Sequence, residues 1–341
     1  MRDLTNRQLR LRRRPAGLPS PEDFELTEEP APVPGAGQVL VRTLLLSIDP
    51  AMRGWVAEGP NYVQAVPVGG VMRSFGLAEV VQSRNTRFRK HDIIIGLPGW
   101  QEWAVLDEQD ILRHVDAAAV PLSAWLGVLG INGLTAYVGM VDIGRPKRGE
   151  TVLVSSAAGS VGSTAGQIAR IRGARVVGLT STEQKRDLCL RVFGFDDCIN
   201  YRDVPDLGRA IEEACPEGVD VYFDSVGGQM LDAALDNMNV AGRIPVCGTI
   251  SEPADLHATG PRVGRRLLVK RLTMQGFLAT DHAARMDEIA RTLATWIEDG
   301  HLRYLEEITS GLKAAPAVLR RVLDGQNEGK SIVRVAEFEP A

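Results

Sequence analysis

The pattern of apolar and polar positions changes rhythm near residue 130. Before that point apolar stretches are short and set between Gly and Pro. Gln8-Leu9-Arg10-Leu11-Arg12 alternates with the two-residue period of a half-buried strand. Residues 38–47 are almost continuously apolar after the turn Pro34-Gly35-Ala36-Gly37, which predicts one buried strand. Residues 75–81 and 92–96 predict further strands. This spacing indicates a small β-rich domain.

From about residue 133 short apolar strands alternate with helical stretches. Strands are expected at 151–155, 174–179, 198–201, 219–224, 242–248 and 272–277, and helices at 160–172, 183–193, 206–215, 229–238 and 286–298. Strands alternating with helices of about ten residues imply βαβ units and a parallel sheet. The tail from residue 305 reads as short mixed elements, and no internal repeat stands out.

Composition narrows the function classes. The chain has 341 residues with a formal net charge of −4, which fits two compact domains and lacks the basic surplus of a nucleic-acid binder. No apolar run is long enough to span a bilayer. Six arginines among the first fourteen residues raise the question of a leader, but Asp3 and the strand-like alternation argue against one. The four cysteines, Cys189, Cys198, Cys215 and Cys247, form no C-x-x-C pair, and reduced thiols in the cytoplasm are the simpler reading.

The strongest chemical signal is Ser156-Ala157-Ala158-Gly159-Ser160-Val161-Gly162, set between an expected strand and an expected helix. Glycines at this place let backbone and helix approach a pyrophosphate, and the helix start offers unpaired N–H groups to it. A strand-to-helix turn that merely needs small residues is the competing reading. The next strand ends in the neutral Gly178-Leu179-Thr180-Ser181-Thr182, where an NAD site places an acid for the ribose hydroxyls. Lys185 and Arg186 follow. A lysine there meets a 2′-phosphate as a point charge, which favours NADP(H); solvated helix charges are the alternative. The cysteines all fall in the nucleotide half, and His91, His114, His257, His282 and His301 show no paired spacing. A catalytic zinc is not expected.

These residues, together with Leu46-Ser47-Ile48-Asp49-Pro50-Ala51-Met52-Arg53-Gly54, Gly130-Ile131-Asn132-Gly133-Leu134-Thr135-Ala136-Tyr137, Tyr222-Phe223-Asp224-Ser225-Val226-Gly227-Gly228, Cys247-Gly248-Thr249-Ile250-Ser251 and Gly325-Gln326-Asn327-Glu328-Gly329-Lys330, resemble the zinc-free branch of the medium-chain dehydrogenase/reductases. Within it the chain is similar to leukotriene/prostaglandin reductases, plant alkenal double-bond reductases and bacterial curcumin reductases. The resemblance runs from near residue 6 to near residue 335, which leaves no room for a cleaved leader. It implies an α/β protein: a Rossmann doubly wound parallel sheet over 129–305, plus a groES-like β-rich catalytic domain over 1–128 completed by 306–341. It implies a homodimer, NADPH, and a small enal or enone whose carbon–carbon double bond is reduced.

By position, the resemblance assigns Lys185 to the 2′-phosphate and Tyr201 to the adenosine phosphate. Thr135, the turn Ala158 to Gly162, Ser225, Cys247 to Ser251, Phe277, Leu278, Ala279 and Asn327 are assigned to the rest of the cofactor. Tyr62 matches a position where relatives carry a tyrosine facing substrate, and it and the cofactor's ribose hydroxyl are the candidate donors to the substrate carbonyl; a half-buried loop tyrosine is its plainer reading. The family's Asp-Pro-Tyr-Met-Arg is Asp49-Pro50-Ala51-Met52-Arg53 here, and Gly276-Phe277-Leu278-Ala279-Thr280-Asp281-His282-Ala283 also lacks a tyrosine that relatives often have. Asp49 reads as a turn residue or buried acceptor, since the proposed chemistry needs no base. A quinone reductase on the same fold and a non-catalytic NADPH-binding protein stay open as alternatives.

Overall fold

The computed structural model describes residues 4–59, 61–115, 121–252 and 260–338. The chain divides into two compact units, Met1–Gly127 with Glu306–Ala341, and Val128–Leu305. In the first unit β1 (Thr5–Leu11) pairs antiparallel with β2 (Phe24–Pro30). Along β1, Arg7 points to solvent while Leu9 and Leu11 are buried, as the alternation predicts. β3 (Val39–Ile48) is buried everywhere except at the half-buried Arg42. β4 (Gly76–Ser83) and β6 (Trp103–Leu106) both pair antiparallel with it. Its sequence is apolar without alternation because side chains on both faces are buried: Val39 and Val41 enter one apolar cluster, Leu44 and Leu45 another, and Leu46 and Ile48 a third. β5 (Ile93–Gly96) extends the sheet from β4, and β7 (Ile111–Val115) from β5. β2, β6 and β7 went unanticipated. They are short or largely polar, and Arg113 and His114 interrupt the apolar period of β7.

The second unit contains β8 (Thr151–Val154), β9 (Arg175–Thr180), β10 (Asp197–Asn200), β11 (Val219–Phe223), β12 (Met238–Val246) and β13 (Thr273–Gly276). All neighbours are parallel, in the spatial order β10-β9-β8-β11-β12-β13. Helices Ser160–Ile171, Glu183–Arg191, Leu207–Ala214 and Gly228–Asn237 make the crossovers. Val152, Leu153, Val154, Val176, Val177, Val221, Tyr222 and Phe223 are fully buried, as expected for strands covered on both faces. Helix Met286–Glu298 has the expected bounds and buries Met286, Ile289, Ala290 and Leu293 on one stripe. β12 differs from expectation: it starts at Met238 rather than 242 and ends at Val246. Ala241 lies at φ +64, and the pairing to β11 shifts register between Val219 and Val221. The strand is therefore built in two parts, and only the second carries an apolar run.

The chain returns to the first unit as β14 (Glu306–Ser310), helix Ala315–Leu323 and β15 (Lys330–Arg334). β15 pairs parallel with β14 and antiparallel with β3. The tail consists of short mixed elements, as expected, and they are packed: Ile332 and Val333 are fully buried in the sheet, and Leu319 packs into the cluster around Leu46, Trp55 and Trp100.

Between helix Ser160–Ile171 and the end of the next crossover, Gly166 faces the ring of Phe195. A Cβ on Gly166 would lie 2.1 Å from a ring carbon. Gly166→Ala is expected to cost about 1–3 kcal/mol through overpacking, read as a lower midpoint in thermal unfolding. An unchanged midpoint would mean the ring swings aside freely.

Candidate cofactor and substrate site

The strand order places a topological switch point between β8 and β11, where ligands bind in open α/β sheets. Ser155, just past β8, ties the two strand ends together. Its N–H and its hydroxyl both donate to the Phe223 carbonyl, each at 3.1 Å, and its Oγ accepts from the Ser225 N–H at 2.8 Å. Ser156 then takes a left-handed φ of +50. The turn closes through Gly159 N–H to Ser156 O at 2.9 Å, and helix Ser160–Ile171 begins with Ser163 N–H to Gly159 O at 2.9 Å. A Cβ on Gly162 would fall 2.3 Å from Ser156 O, so the turn lies directly on the helix. The first-turn N–H groups of Ser160, Val161 and Gly162 have no carbonyl four residues back inside the helix. Together with the helix dipole they form an anion cradle.

One strand further, β9 ends at Thr180. Thr182 caps the next helix, its Oγ1 accepting from Lys185 N at 3.2 Å. That cap sets Lys185 in the first helical turn, where it is 9% exposed. The Arg186 guanidinium turns back to the Cys198 carbonyl at 2.8 Å and to Glu183. The two adjacent cations, equivalent in sequence, are therefore separated by the fold. Tyr201 follows β10 and bonds Thr180 O through its N–H at 3.0 Å, which brings it beside the end of β9.

At the other side of the switch point Asp224 is completely buried. Its Oδ1 accepts from the Tyr222 hydroxyl at 3.0 Å and from the N–H groups of Val226 and Gly227 at 2.9 Å each. Burial nevertheless pushes its carboxyl above the ordinary carboxylate range. The Asp224 carbonyl accepts from Cys247 N at 2.7 Å and Gly248 N at 3.2 Å. Ser251 is held by two bonds to the Val226 carbonyl, and Thr249 by its carbonyl to Glu252 N. The ends of β12 and β13 bound an open cleft of about 370 Å³ lined by Val246, Cys247, Gly248, Thr249, Gly276, Phe277, Leu278 and Asp281. Ile250 is half-buried beyond the cleft, and Ala279 is buried at the turn that leaves it. Burial pushes the Cys247 thiol up to about 12, with the Ser225 hydroxyl working the other way. Cys247 is thus a neutral thiol at physiological pH. Thr135 lies in helix Ile131–Tyr137 and donates its hydroxyl to Ile131 O at 2.7 Å.

Tyr62 and Asn327 belong to the first unit. Tyr62 is 55% exposed. Its loop is pinned to the short helix Met52–Trp55: Asn61 Nδ2 donates to Gly54 O at 2.9 Å, Asn61 Oδ1 accepts from Tyr62 N at 2.7 Å, and Trp55 Nε1 donates to Tyr62 Oη at 3.4 Å. Asn327 Nδ2 donates to Gly329 O at 3.0 Å. Sequence reasoning did not single out Ser155, Asp224 or Asp281. The first two stand at the ends of apolar strands, which is the signal that could have found them.

Among the described residues no group of three or more His, Cys, Asp and Glu could hold a metal. Cys189 and Cys198 are buried in hydrogen-bond contact with each other and Cys215 is buried as well, and among the described residues they form no metal-holding group. A dinucleotide does fit the residues present: with no Cβ on Gly162 the turn lies on the helix start, and the first-turn N–H groups have no helical partners.

A parallel sheet of this order with a glycine turn at its first strand end defines a dinucleotide-dependent oxidoreductase fold. Two family models match: the N-terminal domain of oxidoreductase over residues 7–114, and a zinc-binding dehydrogenase domain over residues 160–295. The chain is 40% identical over 341 residues to the NADPH-dependent curcumin reductase of Escherichia coli, covering 97% of each. It is 37% identical to the NADP(+)-dependent 2-alkenal reductase of Nicotiana tabacum, covering 98% of each. The crystal structure of CurA from Vibrio vulnificus in complex with NADPH superposes with a TM-score of 0.91 at 35% identity, covering 97% of this chain and 100% of that one. The chain belongs to the medium-chain dehydrogenase/reductases, in their branch of NADP-dependent double-bond reductases.

Gly162→Ala forces a methyl group against the Ser156 carbonyl. It is expected to weaken NADPH binding by about tenfold or more, because the cradle must open to relieve the contact. Fluorescence titration reads this directly; unchanged affinity would remove the turn from the cofactor site.

Proposed function

We propose that this protein reduces the carbon–carbon double bond of α,β-unsaturated aldehydes or ketones, with NADPH held along the carboxyl edge of its parallel sheet. The observation that supports it is the set of groups gathered there: the glycine turn, Lys185 at the end of β9 with no acid among residues 178–182, and the cleft beside Cys247 and Phe277. In this reading residues 129–305 hold the cofactor, and residues 1–128 with 306–341 supply the substrate side. Ala158 to Gly162 cradle the pyrophosphate, Lys185 and Tyr201 the adenosine end, and Thr135, Ser225, Cys247 to Ser251 and Phe277 to Ala279 the nicotinamide end. Asn327 reaches the cofactor from the first unit.

When bound, NADPH supplies the hydride that adds to the β-carbon of the substrate. The chain's part is to place the alkene and to stabilise the charge that develops on the carbonyl oxygen. Tyr62 is the donor for that oxygen. It carries a phenol on an exposed loop, and its oxygen accepts from Trp55 Nε1, which directs the phenol. Water or a side chain then protonates the α-carbon of the enolate, so no base is required. Asp49 instead serves as a buried acceptor for Lys330.

A homodimer accompanies this reading. β13 is an edge strand with Thr273, Gln275 and Gly276 exposed, and Val240, Leu268 and Val269 are large apolar side chains left exposed. The compartment is the cytoplasm, in keeping with four free thiols.

Following NADPH absorbance across a panel of enals, enones and quinones tests the reaction. Turnover of enals or enones is expected. Oxidation with quinones alone would transfer the assignment to quinone reduction, and tight NADPH binding with no turnover would leave a non-catalytic binder. Lys185→Ala is expected to weaken NADPH by more than about tenfold while leaving NADH within about twofold, because only the 2′-phosphate loses its point charge; equal losses in parallel titrations would refute that role. Tyr62→Phe is expected to lower kcat by about ten- to a hundredfold with little change in KM. Steady-state kinetics with one enone decides it, and an unchanged kcat would free Tyr62 from catalysis.

A further inference from the structure

The first unit buries an ion pair that neither the cofactor cradle nor the cleft explains. Lys330 opens β15 with its side chain 3% exposed. Its Nζ donates to Asp49 Oδ1 at 2.6 Å and to the Ile48 carbonyl at 3.0 Å. The other carboxylate oxygen of Asp49 accepts from the Ser47 hydroxyl. The Asp49 carbonyl accepts from Met52 N at 3.1 Å, so the turn leaving β3 is held by the same residue. One cation near the C-terminal end of the chain thereby fixes a strand end and a turn 281 residues away.

Two segments leave this joint, and each carries a residue of the proposed site. Beyond Asp49 lies helix Met52–Trp55, whose Gly54 carbonyl and Trp55 indole hold Asn61 and Tyr62. Before Lys330 lie Asn327, bonded to Gly329 O, and Glu328, whose N–H bonds Glu307.

Stability alone does not call for an ion pair here. Taking two charges out of water costs enough that well-packed apolar side chains of similar volume are often as stable or more so. The register of β15 on β3 is already set by the pairs Ser331↔Ile48 through Arg334↔Leu45 and by buried Ile332 and Val333. What the pair adds is direction: three donors on one ammonium select where the Asp49 turn and the Ile48 carbonyl sit.

We propose that Lys330 and Asp49 are positioning residues for the double-bond reduction, locking the Tyr62 loop and the Asn327 segment into one frame. This rests on the reading above that Tyr62 and Asn327 face the reacting groups. Lys330→Met alone would strand the Asp49 carboxylate, so the pair is removed together as Asp49→Asn with Lys330→Met in the full chain; Glu306, the β14 partner of Lys330, is already pushed toward its neutral form by burial and is left in place. The double variant is expected to unfold cooperatively within about 5 °C of the parent. It should bind NADPH within about threefold and lose about ten- to a hundredfold in kcat, the scale set by an ångström of misplacement. Amide exchange should rise in the peptides carrying Trp55 and Tyr62 and in those carrying Asn327, and stay unchanged in β3 and β4.

A folded double variant with parental kcat and parental exchange overturns the proposal. Exchange that rises throughout β3 and β15, or loss of cooperative unfolding, also overturns it, because the pair then holds the sheet and not the site. Tyr62→Phe separates the two readings: if it leaves kcat unchanged while the double variant still loses kcat and gains local exchange, the catalytic role of Tyr62 falls and the clamp stands.

Discussion

A parallel sheet leaves peptide groups at its carboxyl edge without ladder partners, and the cofactor unit is organised by how the chain satisfies them between β8 and β11. Ser155 bonds the Phe223 carbonyl twice and receives the Ser225 N–H. Asp224 gathers the Tyr222 hydroxyl and two N–H groups on one oxygen, while its carbonyl receives Cys247 and Gly248. Three strand ends are thus laced together before any ligand arrives. That leaves the N–H groups of the next helix start unclaimed by the sheet, and the cradle follows from it. The Asp224 carboxyl is the costly part of this arrangement, since burial raises it despite three donors.

The same logic of satisfied and unsatisfied groups sorts the cations after β9. In sequence Lys185 and Arg186 are interchangeable candidates for a 2′-phosphate. In the fold the planar guanidinium of Arg186 reaches a backbone carbonyl of β10, a fixed acceptor that it matches well. Lys185 is set by the Thr182 cap into the first turn of its helix, on the carboxyl side of the sheet.

Legibility in the sequence followed burial. Strands covered on both faces, such as β3, β8 and β9, announced themselves as apolar runs, and helix Met286–Glu298 as a single apolar stripe. The glycine turn was legible because Gly159 and Gly162 sit between such elements. β7 was not, because Arg113 and His114 break its apolar run, and β6, though apolar, is a four-residue run between Glu102 and Asp107 with no turn signal at either end. Nor could the first half of β12 be read, since Ala241 in a left-handed conformation has no sequence mark. The pairing of β15 with β3 joins positions about 280 residues apart, and no local pattern encodes such a contact. For the same reason Asp49 was legible as a buried acceptor while its partner Lys330 was not. In the proposed site the glycine turn and the cations after β9 were read from the residues themselves, whereas Tyr201, Ser225, Cys247 to Ser251, Asn327 and Tyr62 rested on resemblance, and Ser155 and Asp224 at the strand ends were not singled out.

Cys247 links the electrostatics of the cleft to the chemistry proposed for it. Enals and enones are electrophiles, and a thiolate beside them would add to the β-carbon that the hydride should reach. The thiol is held neutral at about 12 by its surroundings. With the nucleophile being the thiolate and not the thiol, the upward shift keeps the reactive fraction small at pH 7. A small apolar side chain would give similar neutrality, so charge alone does not explain the sulfur. Packing adds a reason, since the backbone N–H of Cys247 is fixed to Asp224 O and its side chain lies against Ser225, where a polarisable group of modest volume fits. On the proposed reaction, the same desolvation that raises the Cys247 thiol would keep it unreactive toward an electrophilic substrate.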